Sequence, residues 1–172
     1  MSTHHFTLIL DRRPSDEELD ALFEAGCDDA TPATVSGSGW LHFDRDAASL
    51  LHALTSAIHD VETAGLGVCA VVSGDLVSLK EIAHRIGRTY EAVRLWSLGR
   101  RGPGGFPPPV TSGDGWSLWS WVQAAGWLRT NLLAPVEVSD DERVLAAVDL
   151  LVRARCLLAD RMSTVTNMLE AV

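Results

Sequence analysis

Apolar and polar positions along this chain follow two rhythms, a period of two and a period between three and four. Phe6-Thr7-Leu8-Ile9-Leu10 reads as a strand, halted by Asp11-Arg12-Arg13-Pro14. Ser15 stands three residues before Glu18, the spacing of a capping box, and Leu19, Leu22 and Phe23 then make a helical stripe ending at Gly26. A second strand is expected over Ala30–Ser36, with Gly37-Ser38-Gly39 as a hairpin turn and Trp40-Leu41-His42-Phe43 as the return strand. Leu50, Leu51, Leu54, Ile58 and Val61 give a helix between Asp46 and Ala64, closed by Gly65. Val68–Val72 is the last strand of this series.

The fold class expected is α+β. The order βαββαβ predicts a ferredoxin-like domain over residues 1–73, with two helices on one face of a four-stranded antiparallel sheet. Ser73-Gly74-Asp75 is the natural joint to the next part. A long C-terminal helix is expected over 139–172: Ser139 and Glu142 repeat the capping-box spacing. Val144, Leu145, Val148, Leu151, Leu158 and Met162 would form its apolar face. That face needs a surface to lie on, either the first domain or the same helix of a second subunit.

Between them, residues 75–130 carry the most specific pattern. Ser78 and Glu81 have capping-box spacing, Leu79, Ile82, Ala83 and Ile86 share a face, and Gly87 ends the helix as a left-handed residue. Thr89 caps a second helix, Tyr90–Leu98, whose inner face is Val93 and Trp96. Two short helices meeting across a tight turn need a small residue at the crossing, which Ala83 supplies. This is a helix-turn-helix pattern, in which the second helix offers its N-terminal outer face to a DNA major groove.

The motif Leu79-x-x-Ile82-Ala83-x-x-Ile86-Gly87-x-Thr89-x-x-x-Val93 resembles the helix-turn-helix of the MerR, AlpA and excisionase-type winged-helix regulators. Gly105-Phe106-Pro107-x-Pro109-Val110 is similar to the start of their wing. Leu118-Trp119-Ser120-Trp121-Val122, followed by Ala125 and Trp127-Leu128, is similar to its aromatic return strand and closing helix. The segment also resembles an actinobacterial type of helix-turn-helix regulator. Arg88 departs from the pattern, standing where an aliphatic residue is usual. The Gly99–Gly105 connection is also longer and richer in glycine than in the simplest members. The resemblance implies a winged helix-turn-helix that binds double-stranded DNA; a single such module buries too little surface for tight discrimination, so a homodimer is expected.

Charge agrees with that division. The chain of 172 residues has a net charge of −9, which alone disfavours contact with phosphates. Residues 1–74 carry three basic and twelve acidic side chains and residues 131–172 carry four and seven, whereas 75–130 carry seven basic and four acidic. Only the middle segment has the sign nucleic acid requires. There Thr89 and the N-terminal N–H groups of its helix suit a phosphate, and Tyr90, Glu91 and Arg94 lie on the exposed side. Arg94 is suited to the O6 and N7 of guanine, and Glu91 either to the amino group of cytosine or to orienting Arg94. Arg88, Arg100 and Arg101 read as phosphate or minor-groove contacts. Trp96, Trp119, Trp121 and Trp127 fall on apolar faces and read as core, while Trp116 near a hairpin tip is placed to touch the DNA backbone.

Other chemistry finds little footing. No apolar run approaches the ~18 residues of a membrane span, and the N-terminus lacks a leader pattern, so a cytoplasmic protein is expected. Cys27, Cys69 and Cys156 are widely spaced and fit reduced thiols better than a disulfide scaffold or zinc finger. His52 and His59 share a helix face but stand ~10 Å apart, too far to chelate one ion. His4, His5 and His42 would have to be gathered by folding. Asp28 and Asp29 would be a paired-carboxylate candidate, but as consecutive strand residues they are expected to point to opposite faces. No nucleophile elbow, phosphate loop or dinucleotide fingerprint is present, so no enzyme activity, metal or cofactor is expected. The leading expectation is a dimeric transcription regulator. Two alternatives remain open: an antitoxin-like adaptor binding a protein partner through the acidic N-terminal domain, and an excisionase-like architectural DNA binder.

Overall fold

A computed structural model describes residues 1–132 and 134–158. The fold is mixed α+β with antiparallel sheets, and the described residues include six helices. The chain divides into two compact units, Met1–Val72 together with Ala147 onward, and Ser73–Ala146.

The first unit contains β1 (Ser2–Leu10), α1 (Asp16–Glu24), β2 (Ala30–Val35), β3 (Ser38–Ala47), α2 (Leu50–Thr63) and β4 (Val68–Val71). The sheet order is β2-β3-β1-β4, with every neighbouring pair antiparallel. Strand alternation decides which side chains enter the core. Phe6, Leu8 and Leu10 of β1 and Leu41 and Phe43 of β3 are buried, against Ala53, Leu54, Ala57, Ile58 and Val61 of α2. The rings of Phe6 and Phe43, directly opposite in register, stack with centroids 5.2 Å apart. Each such side chain stabilises the unit by roughly 1.5–3 kcal/mol through removal from water. The opposite positions form a polar ladder across β1 and β3: Thr3 with Asp46 at 2.6 Å, His5 with Asp44 at 2.6 Å and Thr7 with His42 at 2.9 Å.

Ser15 caps α1 with both halves of the capping box formed. Two local expectations are corrected. The hairpin turn is Ser36-Gly37, with φ of 50° and 86°, not Gly37-Ser38-Gly39, because Val35 already pairs with Ser38. Helix α2 begins at Leu50 behind its cap Ser49, not near Asp46, because β3 keeps its alternation through Arg45 and Ala47.

Arg45 faces inward at 7 % exposure, and the surrounding carboxylates are what make that possible. Its Nε and Nη2 donate to the two oxygens of Asp29 at 2.7 and 2.9 Å. Nη1 donates to Asp60 at 2.6 Å and Ser56 at 3.1 Å, and Nη2 also donates to the carbonyl of Gly26 at 2.6 Å. All five donors of the guanidinium are therefore used, and these partners hold its pKa above the ordinary arginine value. The neighbouring Cys27 is buried, and burial pushes its thiol up to about 11.

Helix α6 (Asp140–Leu158) opens with the expected capping box: Ser139 N donates to Glu142 and Glu142 N donates to the Ser139 hydroxyl. Its later turns close the free edge of β4. The N–H of Val71 donates to Asp149 Oδ1 at 2.9 Å, Arg153 holds the same carboxylate, and Arg155 pairs with Glu62. A covered edge cannot recruit a foreign strand; at the other edge β2 carries Pro32. The buried face of α6 agrees with the expected one in part: Val148 is buried and Val144, Leu145 and Leu158 are half-buried, but Ala146, Asp149 and Val152 are buried too and Leu151 is 62 % exposed; Met162 lies outside the described residues. Docking of Asp149 onto the strand edge turns Leu151 outward.

The second unit contains β5 (Leu76–Val77), α3 (Leu79–Arg85), α4 (Tyr90–Ser97), β6 (Thr111–Gly113), β7 (Trp116–Ser120) and α5 (Trp121–Leu132). Its small sheet has the order β5-β7-β6. Val77, Leu79, Ile82, Ala83, Val93, Trp119, Trp121, Ala124, Ala125, Trp127 and Leu128 form one core. β7 ends at Ser120, and Trp121 and Val122 begin α5. Asp75 fixes that change of direction, accepting from Trp121 N on its carbonyl at 2.7 Å and from Val122 N on its carboxylate at 2.8 Å.

Candidate functional site

Helix α3 starts at Ser78, whose hydroxyl accepts from Glu81 N at 3.2 Å. The Glu81 side chain pairs with Arg85, and the guanidinium of Arg85 lies 4.8 Å from the ring centre of Trp121. Gly87 has φ of 63°, and the next amide, Arg88 N, returns to the carbonyl of Ala83 at 2.9 Å. A side chain at Gly87 would strain this left-handed turn. Thr89 then caps α4, its hydroxyl accepting from Ala92 N at 3.3 Å. The chain therefore leaves one short helix and enters the next within a few residues, with Ala83 and Val93 buried between them.

Val93 fixes which side of α4 turns outward. Tyr90 is 46 % exposed, Glu91 is exposed and Arg94 is partly so. Arg94 donates from Nε and Nη2 to both oxygens of Glu91, at 2.8 and 2.7 Å. That guanidinium, with Arg100 adding to the field, holds the Glu91 carboxyl below its ordinary range. Of the two readings for Glu91, this geometry is that of a carboxylate orienting Arg94.

Arg85, Arg88 and Arg101 line two grooves that share Arg88 and Trp96. Arg88, Thr89, Arg101 and Trp96 line one groove of about 470 Å³. Arg85, Arg88, Trp96 and the apolar segment Ala134–Val136 line a second, of about 490 Å³. Since Glu81 and Glu91 are engaged by Arg85 and Arg94, Arg88, Arg100 and Arg101 have no ion-pair partner among the described residues. Backbone geometry keeps Arg100 close: its amide donates to the carbonyl of Leu95 at 2.9 Å.

A cleft of about 450 Å³ separates Tyr90 and Lys80 from the β6–β7 hairpin, where Ser117 and Trp116 form its other wall. Trp116 is 53 % exposed, with its indole packed against Gly113 on the opposite strand, so that any Cβ at 113 would collide with it. Lys80 and Arg85 were not singled out as site residues from the sequence. The signal for Lys80 was its position two residues after the cap of α3, which sets it outside the buried stripe. Trp119, Trp121 and Trp127 are core residues, and Trp127 donates to the carbonyl of Gly104 at 2.9 Å, pinning the glycine-rich connection. Trp96 is half-buried against Trp127.

Of the histidines, His5 and His42 stand on the β1–β3 ladder, His4 bonds Ser2, His52 lies beside Ser49, His59 is on α2 and His84 is in the last turn of α3. Among the described residues no group of three or more histidine, cysteine or carboxylate side chains could hold a metal ion. Nor is any described helix long and apolar enough to cross a membrane. Set against protein-family models, curated proteins and solved structures, the chain matches none of them.

Proposed function

We propose that residues 75–130 are a winged helix-turn-helix of the MerR, AlpA and excisionase type, and that the protein is a sequence-specific, DNA-binding transcription regulator rather than an enzyme. On this reading α4 is the recognition helix, β6 and β7 are the wing, and the first unit is a ferredoxin-like sandwich serving dimerisation or sensing. The observation that carries it is the outer side of α4. Tyr90, Glu91 and Arg94 are presented there without cover from the core, with Arg88, Arg100 and Arg101 on the flanking turns and in no ion pair among the described residues. An arginine fork held in plane by a neighbouring carboxylate is suited to the paired acceptors of guanine. Unpaired arginines around it are suited to phosphates, which fix register. One such module covers too little duplex for tight discrimination, so a homodimer on a partly palindromic site completes the reading.

The test is a titration of duplex DNA at increasing salt. Binding is expected to weaken steeply with ionic strength, and removing any one of Arg88, Arg100 or Arg101 is expected to reduce the logarithmic salt slope by about 1. No binding at low salt, or a slope indifferent to these arginines, contradicts the reading.

A second reading is favoured by the acidity of the first unit. Asp44 and Asp46 stand on one exposed sheet face in a segment with twelve acidic and three basic residues. An antitoxin-like adaptor would use that face for a basic protein partner. Co-purification of such a partner through residues 1–74, unaffected by Arg94→Ala, would support it.

A further inference from the structure

We propose that Cys69 and Cys156 are an oxidative modification site, a dithiol that a low-molecular-weight disulfide converts into an intramolecular bridge fastening α6 to β4. The two residues are 87 positions apart, yet their sulfurs lie 2.8 Å from each other, about 0.7 Å beyond the ~2.05 Å of a disulfide bond. Both are free thiols.

The approach is held from both sides. Cys69 belongs to β4, where Val68 and Ala70 on either side of it are paired with Leu10 and Ile9 of β1. Cys156 belongs to α6, and Asp149, Val152 and Cys156, spaced by three and four, share its inner side. Asp149 is anchored on the Val71 amide, Val152 is buried, and Arg155 next to Cys156 pairs with Glu62. Strand and helix are thus fixed on each other independently of the sulfurs, which is the condition for closing a bridge without moving the backbone.

Access separates the roles. Cys156 is exposed and Cys69 is half-buried. Burial, with the neighbouring sulfur, pushes the Cys69 thiol up to about 11, which disfavours it as the first attacking thiol. The Cys156 thiolate attacks one sulfur of the small disulfide, expelling one thiolate and leaving a mixed disulfide on Cys156. The Cys69 thiol then gives up its proton, attacks the Cys156 sulfur and expels the second small thiol. Two cysteine thiols are oxidised, one disulfide is reduced to two thiols, and the electrons balance. The bridge would close a loop containing the whole of Ser73–Ala146, so it restricts the unfolded chain strongly.

The experiment uses the full chain, reduced, freed of reductant and exposed to glutathione disulfide, followed by peptide mapping without reduction. Expected are a Cys69–Cys156 cross-link, an intact mass lower by two hydrogens and an unmodified Cys27. The unfolding midpoint should also rise by about 5–15 °C, reversed by dithiothreitol. Cys69→Ser, a near-isosteric change, is expected to stop at a glutathione adduct on Cys156. Three intact thiols, a stable adduct on Cys156 of the unaltered protein, a bridge to Cys27 or to a second chain, or a bridge with an unchanged midpoint would each overturn the proposal.

Discussion

Glu91 grips Arg94 with both carboxylate oxygens, one step of three along the exposed side of α4. Both side chains are open to water, so the pair adds little to stability. Its effect is on direction: the guanidinium plane is set before any ligand arrives, and the rotamer freedom of Arg94 is narrowed.

Glu91→Ala separates orientation from charge. Removing the carboxylate takes a negative group away from the proposed DNA face and frees Arg94. Non-specific affinity is expected to rise by about three- to tenfold while discrimination between sites falls. Acid should act in the same direction. Glu91 has a folded pKa below its ordinary value, so the pair is intact above the ordinary carboxylate range and is lost only as pH falls through the depressed value. Competition binding with specific and random duplexes checks both; unchanged discrimination in Glu91→Ala would remove Glu91 from any orienting role.

The Arg45 cluster predicts a large cost for a small deletion in the first unit. Asp29→Ala withdraws two of five hydrogen bonds from a buried guanidinium and is expected to destabilise by about 3 kcal/mol. Urea unfolding followed by far-ultraviolet circular dichroism measures it. A loss below ~1 kcal/mol would mean that Asp60 and water compensate.

Leu150, Leu151 and Leu157 are 63 %, 62 % and 85 % exposed on α6. If this side is a dimer contact, as the homodimer reading allows, Leu151→Glu together with Leu157→Glu should convert a dimer to a monomer without unfolding the first unit, because neither residue is buried. Light scattering decides it, and an unchanged mass removes α6 from the interface.

Much of this organisation was legible where a local rule governs structure. The capping boxes at Ser15/Glu18 and Ser139/Glu142 and the left-handed Gly87 announce themselves, since each satisfies orphan backbone groups or a turn within a few residues. The buried tryptophans followed from their spacing. What escaped was tertiary. An inward arginine hides the true length of β3, because alternation broken by a charge reads as a strand end, and only Asp29 and Asp60 make the position tolerable. The strand β5 is two residues long and exists through its pairing with Trp119 and Ser120. On α6 the periodicity found Val148 but not the burial of Asp149 at a strand edge, which puts Leu151 outside. In the candidate site the residues of α4 were readable from Val93, whereas the cleft joining Lys80, Tyr90 and Trp116 needed the hairpin in place.

Selection of bound duplexes from a random pool, run in parallel with the unaltered chain and Arg94→Ala, tests the proposed regulator most directly. The unaltered chain should enrich a guanine-containing motif in two inverted copies, and Arg94→Ala should bind that motif ~10- to 100-fold more weakly and lose the guanine preference. A pool that emerges without any shared motif, or an identical motif recovered by Arg94→Ala, would contradict recognition through α4.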